Sequence, residues 1–400
     1  MIGPVAALMF ADLFKKITIL EKRNVLNYKE SDKRSLQIIL SERAWRTLDK
    51  IGIERQVREL CNPLSGRVQH ISSELKKEEK YGNDNERIFC VSRKDLNHYL
   101  LQLAINHPKI NFENRSELIE VAPLTKTIKY KSGDKLFSSQ YDLLIGAEGA
   151  NSYLAQFLNP DNKRECELEN YTYKETRIYR NDLSSSSFHY YHCKDFMSGA
   201  FPLNSSGDFS FFYVYKNDKE PYILANENWS NLNSNNPLVL DSYSLSVRDE
   251  LRKLESGRLG SIKNKKWHYQ NSIILLGDCA HTILPFMGQG LNIGLEDVYL
   301  FYNFFKTSPQ NFELFCNNRK ESTDAMTEIS QNQFHYLTGQ LTSKQREIKH
   351  KKEAYYKIMG IRNLYSSCAF TFENIQEIYS RDKKIEEICV SDIPKSTESK

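Results

Sequence analysis

The chain has 400 residues, enough for one large domain or two, and its 40% hydrophobic and 12% aromatic content places it among globular proteins. A net charge of +4 is small for this length, so the Lys-rich stretches Lys263-Asn264-Lys265-Lys266 and Lys349-His350-Lys351-Lys352 read as solvated faces, and no nucleic acid is expected as a partner. Eight cysteines without a CxxC pair exclude zinc and dithiol chemistry, and no metal site is expected; no signal-peptide pattern or long apolar segment appears, so reduced thiols in a cytoplasmic protein and no strong membrane signal follow.

The N-terminal run Met1-Ile2-Gly3-Pro4-Val5-Ala6 leads to Ile17-Thr18-Ile19-Leu20-Glu21, which reads as a parallel strand ending in an acid 18 residues after Gly3. This is the spacing at which a helix receives a pyrophosphate and a carboxylate receives ribose hydroxyls. Aligned to G-x-G-x-x-G/A, Gly3 is the second glycine, Ala6 fills the third position, and Met1 stands where the first belongs. A strand should precede that glycine at the centre of a doubly wound sheet, flanked by Ile17–Glu21 and Tyr141–Ile145. Without it two inner edges stay unpaired. Two expectations follow: the true start lies upstream, or the chain is a shortened relative with impaired dinucleotide binding.

Further along, Tyr141 to Ser152 reads as a buried strand running into a glycine turn. Tyr- and Phe-rich runs at 171–180, 186–192, 196–202 and 209–215 predict a sheet. The apolar run Ile273-Ile274-Leu275-Leu276 predicts a buried strand, and the pattern after it predicts a helix from about Ile293 to Phe305. Between them stands the strongest motif, Gly277-Asp278-Cys279-Ala280-His281, continued by Pro285-Phe286-Met287-Gly288-Gln289-Gly290-Leu291-Asn292. An Asp just past a strand end suits a ligand hydroxyl, and the glycines admit an anionic ring or phosphate to backbone N–H groups. Trp45, Trp229 and Trp267 are isolated, with no W-x-W-x-I-P segment, which speaks against a flavin halogenase. Ser391 to Lys400 is polar and expected to be disordered.

The last motif resembles the second flavin-contact element of FAD-dependent aromatic hydroxylases, the group A flavoprotein monooxygenases. Three further segments narrow the resemblance to the kynurenine 3-monooxygenase family: Arg34-Ser35-Leu36-Gln37-Ile38-Ile39-Leu40-Ser41-Glu42-Arg43, Val91-Ser92-Arg93-Lys94-Asp95-Leu96-Asn97, and the strands Phe188-His189-Tyr190-Tyr191 and Phe196 to Pro202. It runs from Gly3 to roughly Ser380 and thins between Leu203 and Ser272. Asp142 to Ser152 is similar to the family's D-L-L-I-G-A-D-G-x-x-S element, with Glu148 in place of the usual Asp; a longer acid either keeps or weakens that role.

The resemblance implies an α/β fold, FAD-binding and Rossmann-like of the p-hydroxybenzoate hydroxylase (GR2) type, with a mixed β-sheet substrate domain and a helical C-terminus. The expected divisions are 1–60, 85–155 and 270–325 for the FAD-binding domain, 61–84 and 156–269 for the substrate domain, and 326–390 for the C-terminal helices. Cofactor contacts would come from Gly3, Ala6, Glu21, Arg34, Arg93, Asp278, Gly288, Gly290, Leu291 and Asn292. Substrate contacts would come from Arg67 and Tyr81, which hold a carboxylate as a bidentate guanidinium and a phenolic donor, with Phe286, Gln333 and Tyr365. Tyr336 stands where the family carries an acid near the substrate amino group.

The implied reaction is FAD-dependent hydroxylation of L-kynurenine to 3-hydroxykynurenine, with NADPH as reductant and O2 and a small aromatic amino acid as partners, in a monomer or homodimer. No triad or metal is required, no catalytic side chain is singled out, and His281 is expected to support its turn rather than transfer a proton. The alternatives are a flavin hydroxylase of another aromatic carboxylate and an N-terminally truncated, inactive flavoprotein-like chain.

Overall fold

The computed structural model describes residues 1–25, 36–71, 75–160, 164–193, 196–219 and 249–391. Arg34, Trp229 and the tail after Ser391 lie outside them.

The chain opens with helix α1 (Ile2–Phe10), buried along Pro4, Val5, Ala6, Ala7, Met9 and Phe10, and returns through strand β1 (Ile17–Glu21). Strand β2 (Gln37–Leu40), helices α2 (Glu42–Lys50) and α3 (Glu54–Glu59) and strands β3 (Cys61–Leu64), β4 (Gly66–His70), β5 (Lys76–Lys80) and β6 (Ile88–Ser92) follow. Helix α4 (Arg93–Ile105) starts where the Ser92 hydroxyl accepts from the Asp95 amide, a side-chain N-cap. Strands β7 (Ile110–Asn114), β8 (Ser116–Ala122), β9 (Thr127–Ser132), β10 (Lys135–Gln140) and β11 (Leu144–Gly146) lead to helix α5 (Tyr153–Leu158).

Four long strands come next: β12 (Arg164–Tyr179), β13 (Ser187–Cys193), β14 (Phe196–Pro202) and β15 (Asp208–Lys216), in line with the aromatic runs read from the sequence. Strands β16 (Gly257–Asn264), β17 (His268–Tyr269), β18 (Ile273–Leu275) and β19 (His281–Thr282) precede the helices α6 (Gly290–Thr307), α7 (Phe312–Leu337), α8 (Ser343–Ile358), α9 (Leu364–Phe370) and α10 (Ile375–Ser391).

Among the described residues the strands form five sheets. The largest runs β19-β16-β12-β15-β14-β13-β4-β5, with β13 parallel to β4 and its other neighbours antiparallel. Strand β3 pairs with β6 in the sheet β2-β6-β3 rather than joining the large sheet beside β4. In the small sheets β1 runs parallel to β7, and β11 runs parallel to β18. Among the described residues β1 has no strand on its other side, and neither does β11. Residues Ile17–Glu21 and Leu143–Gly146 line one and the same cavity. The apolar side chains Ile17, Ile19, Leu20, Leu144 and Ile145 are accordingly only half-buried.

The main core joins α1, α2, β18 and α6 through Val5, Phe10, Trp45, Leu48, Ile274, Leu275, Val298 and Phe301. A second core under the large sheet gathers Tyr81, Tyr171, Tyr190, Met197, Val214 and Phe334 and touches Phe286 and Tyr365. Helix α6 packs on both α1 and α2 and begins beside the turn after β18. This approach requires glycine twice. Gly277 sits at φ +64, and a Cβ on Gly294 would come 2.9 Å from Ile2 Cδ1 and 3.2 Å from the Gly277 Cα. The second contact is with backbone, so Gly294→Ala must push α6 away from the turn. It is expected to destabilise the fold by about 1–3 kcal/mol, the usual cost of overpacking; a thermal midpoint equal to wild type would show that the contact yields freely.

Candidate functional site

The two cores enclose a cavity of about 1690 Å³. That exceeds the roughly 300–1,000 Å³ of a single small-ligand pocket, leaving room for a dinucleotide and a second molecule. Its wall brings together Gly3, Ala6, Glu21, Arg93, Asp278, Gly288, Gly290 and Leu291 with Arg67, Tyr81, Phe286, Gln333 and Tyr365. Residues scattered over more than 360 positions of sequence therefore face one space.

At the nucleotide end, the first turn of α1 has no side-chain cap, so its amide N–H groups are available to an anion. Glu21 closes β1 and accepts from Arg23 Nε at 2.9 Å and Nη2 at 3.0 Å. Burial would raise its carboxyl, but Arg23 holds it below the usual carboxylate value. Arg93 sits at the start of α4, its amide donating to Leu36 O at 3.0 Å. Glu148 takes on local work: it accepts from the Ser152 hydroxyl and from the Leu154 amide at 3.1 Å, capping α5 at the cavity rim.

Asp278 lies in the tight turn after β18, between Gly277 and Cys279. Its side chain opens onto the cavity, where it is solvent-exposed, while the surrounding protein crowds it deep within the molecule. This desolvation raises its carboxyl above the ordinary value, with His281 and Arg93 partly opposing. Asn292 stands apart from the other motif residues. Its carbonyl oxygen accepts from the Ser41 amide at 2.7 Å, and its amide donates to Ile39 O at 3.0 Å and Gly288 O at 2.8 Å. It ties the start of α6 to β2 and does not line the cavity.

At the other end, the Tyr81 and Tyr365 rings pack at a 31° tilt with centroids 5.2 Å apart, and the Arg67 guanidinium lies 6.0 Å from the Tyr365 ring. Burial pushes both phenols up, so they remain protonated donors. Burial pulls Arg67 the other way, but Tyr190, Glu79 and Tyr81 around it more than compensate, and it stays charged. One edge of its guanidinium is occupied. Glu79 Oε2 already accepts from Arg67 Nε at 2.8 Å and Nη2 at 2.7 Å, leaving Nη1 as the guanidinium nitrogen without a carboxylate partner among the described residues. Tyr336 does not line the cavity; Lys349 Nζ lies 4.4 Å from its ring centroid.

The cavity wall also contains residues the motifs did not single out: Tyr173, Glu175, Tyr190, Met197, Phe212 and Arg258. Their signal was the period of two along β12, β13 and β15, which puts Tyr173 with Glu175, Phe188 with Tyr190, and Phe212 with Val214 on one face. The distance between strands in sequence hides which of those faces meet.

Behind the wall lies a buried ionic network. Asp297 Oδ2 accepts from the Gly277 amide at 2.8 Å and lies 2.7 Å from His281 Nε2, while Oδ1 accepts from Arg319 Nε at 2.7 Å. Burial would raise this carboxyl, but His281 and Arg319 hold it below the usual range. Next to it, Glu296 pairs with Arg43 at 2.7 Å, Arg46 at 2.8 Å and Arg319 at 2.9 Å. Arg43 continues to Cys368 O at 2.8 Å and Glu373 O at 2.7 Å, reaching α9 and the turn before α10. His281 does not line the cavity, in keeping with a supporting role. Arg319→Leu would strip a buried cation from both acids. A loss of about 3–5 kcal/mol in urea denaturation is expected; a change under about 1 kcal/mol would show that Arg43 and Arg46 suffice.

Among the described residues no group of His, Cys, Asp and Glu side chains could hold a metal ion, and no helix is long and apolar enough to cross a membrane.

Residues 2–305 match the model of a family described as FAD binding domain. Kynurenine 3-monooxygenase of Christiangramia forsetii is 28% identical over 357 residues, covering 84% of this chain and 78% of that protein. The protein of the same name from Dictyostelium discoideum is 25% identical over 370 residues, covering 83% and 77%. Among solved structures, PqsL, a probable FAD-dependent monooxygenase from Pseudomonas aeruginosa, superposes with a TM-score of 0.67 at 13% identity, covering 84% of this chain and 94% of its own. Tetracycline destructase Tet(55) gives 0.65 at 16% identity, covering 93% and 96%. These two share the fold. With its resemblance to the kynurenine 3-monooxygenases carried by relatives that span most of its length, the chain belongs to the FAD-binding domain family and is a flavoprotein monooxygenase with FAD as its cofactor.

Proposed function

We propose that the protein hydroxylates an aromatic amino acid through its carboxylate-anchored ring, with L-kynurenine as first candidate, ring position 3 as the site and NADPH as reductant. The observation carrying this reading is that an Asp-bearing glycine turn and an arginine–tyrosine wall open into one cavity large enough for two molecules.

The wall suits FAD. A Cβ on Gly290 would meet no atom within 4 Å, and one on Gly3 only the Ala147 Cβ at 3.9 Å, so the main chain there is open to close approach. In this reading the start of α1 holds the pyrophosphate, Glu21 the adenosine ribose, Asp278 a ribityl hydroxyl, and Arg93 an oxygen along the cofactor. When bound, FAD supplies the redox chemistry by which NADPH and O2 deliver an electrophilic oxygen to an electron-rich ring.

The protein's part is to orient that ring and keep water from it. Arg67 Nη1 and the phenols of Tyr81 and Tyr365 would take the substrate carboxylate, Gln333 would add a hydrogen bond, and Phe286 would pack on the ring. Glu79 fixes the guanidinium for this task. The thiols of Cys61, Cys90, Cys316 and Cys368, outside any disulfide, support a reducing, cytoplasmic setting. A second reading, another aromatic carboxylate as substrate, draws on Tyr336, which occupies the position of the expected acid and packs on Lys349 outside the cavity.

Asp278→Ala is expected to weaken FAD retention by about 10- to 100-fold, the factor of a charged hydrogen bond, without loss of fold. Visible absorbance of the purified variant reads it, and flavin content equal to wild type would refute the assignment. Arg67→Ala should raise KM for the true substrate by about tenfold or more while flavin content stays constant. FAD-loaded protein incubated with NADPH and L-kynurenine should yield a product one oxygen heavier by mass spectrometry. NADPH consumption ending only in peroxide would favour another aromatic acid, and no stimulation by any aromatic acid would sink the hydroxylase reading.

A further inference from the structure

The buried network has a geometry that bears directly on Asp278. Gly277 and His281 bracket the turn, one residue before Asp278 and three after it, and both are held by a single oxygen of Asp297, itself fully buried on α6. The same turn has its left-handed glycine pressed against Ile2 and Gly294, so it has little freedom except through these bonds. His281 Nδ1 is buried with no hydrogen-bond partner in the described structure, while Nε2 faces the carboxylate. A proton on Nε2 donates to Asp297, which fixes the ring against the turn. Trp267 lies beside the imidazole, ring centroids 5.3 Å apart, and the Trp267 indole N–H donates to Asn264 O at 2.8 Å, so the histidine is packed in one orientation. Asn264 in turn donates to Cys279 O at 2.8 Å, inside the turn.

We infer that Asp297 is a positioning residue for the flavin: it clamps both ends of the turn and thereby aims the Asp278 carboxylate into the cavity, with His281 as its second grip. The inference rests on the reading of Asp278 as a FAD contact. Asp297 itself faces away from the cavity and touches no part of it. Its bond to Arg319, whose guanidinium also pairs with Glu296, keeps its charge compensated, so it remains an ionised acceptor for the Gly277 amide and the imidazole at once. An uncharged replacement can accept fewer or weaker bonds, which frees one end of the turn.

The test is a double-mutant cycle on FAD affinity, in which apoproteins of wild type, Asp278→Ala, Asp297→Asn and the double variant are titrated with FAD and followed by quenching of flavin fluorescence. Asp297→Asn is expected to weaken binding about 10- to 100-fold on its own, the factor of a charged hydrogen bond, and less than about threefold when Asp278 is already Ala. Equal losses in both backgrounds would show that Asp297 serves the fold in general and would overturn the inference alone. Tight binding by Asp278→Ala by itself would instead remove the reading of Asp278, and the inference with it.

If Asp297→Asn does not fold, His281 carries the same question. His281→Gln keeps an N–H donor toward Asp297 and should bind FAD within a few-fold of wild type, whereas His281→Leu should lose about tenfold or more. Equal affinities of these two folded variants would refute the clamp.

Discussion

Two acids side by side on α6, Glu296 and Asp297, hold the molecule together around its cavity. Buried carboxylates are costly unless each is met by cations and donors of good geometry, and here three arginines and an imidazole meet them. The partners come from α2, from the turn after β18 and from α7, so the demand for charge balance fixes how these elements sit. Arg43 then reaches two backbone carbonyls near α9, the helix that carries Tyr365. One polar knot thus spans from the turn that carries Asp278 to the helix that carries Tyr365.

The contrast between the two ends follows from their walls. At the nucleotide end main chain comes to the surface of the cavity, through glycines and an uncapped helix start. At the far end the wall is aromatic, with Phe188, Tyr190, Phe201 and Phe212 stacked near one another and one guanidinium among them. The first suits an anionic, hydroxyl-rich molecule held by backbone. The second suits a flat ring with one negative group. Glu79 orients the Arg67 guanidinium by engaging two of its nitrogens.

Much of this was legible in the sequence wherever local pattern and chemistry coincide. Ile17–Glu21, the strands β13, β14 and β15 and the helix at Gly290 were read close to their observed bounds because periodicity and glycine punctuation act over a few residues, whereas β12 begins at Arg164, well before the run read at 171–180. Asp278 facing the cavity was legible for the same reason. Asn292 was not: inside a motif it reads as a ligand, but its amide is consumed by Ile39, Ser41 and Gly288, and Ile39 and Ser41 lie some 250 positions away. Glu79 and Asp297 were missed because a partner across a hairpin or between helices leaves no spacing signal. Only an acid set in the apolar stretch Ile293 to Phe305 hinted at Asp297.

Among the described residues strands β1 and β11 each pair on one side only. A strand with one open edge and half-buried apolar side chains is a ready template for any extended chain that reaches it, including another copy of itself. Both open edges border the cavity in which the cofactor's phosphates and sugars are placed by the reading above, so whatever fills that space also screens the edges. In that reading the molecule that fills the cavity also covers polar main chain, which couples cofactor loading to solubility.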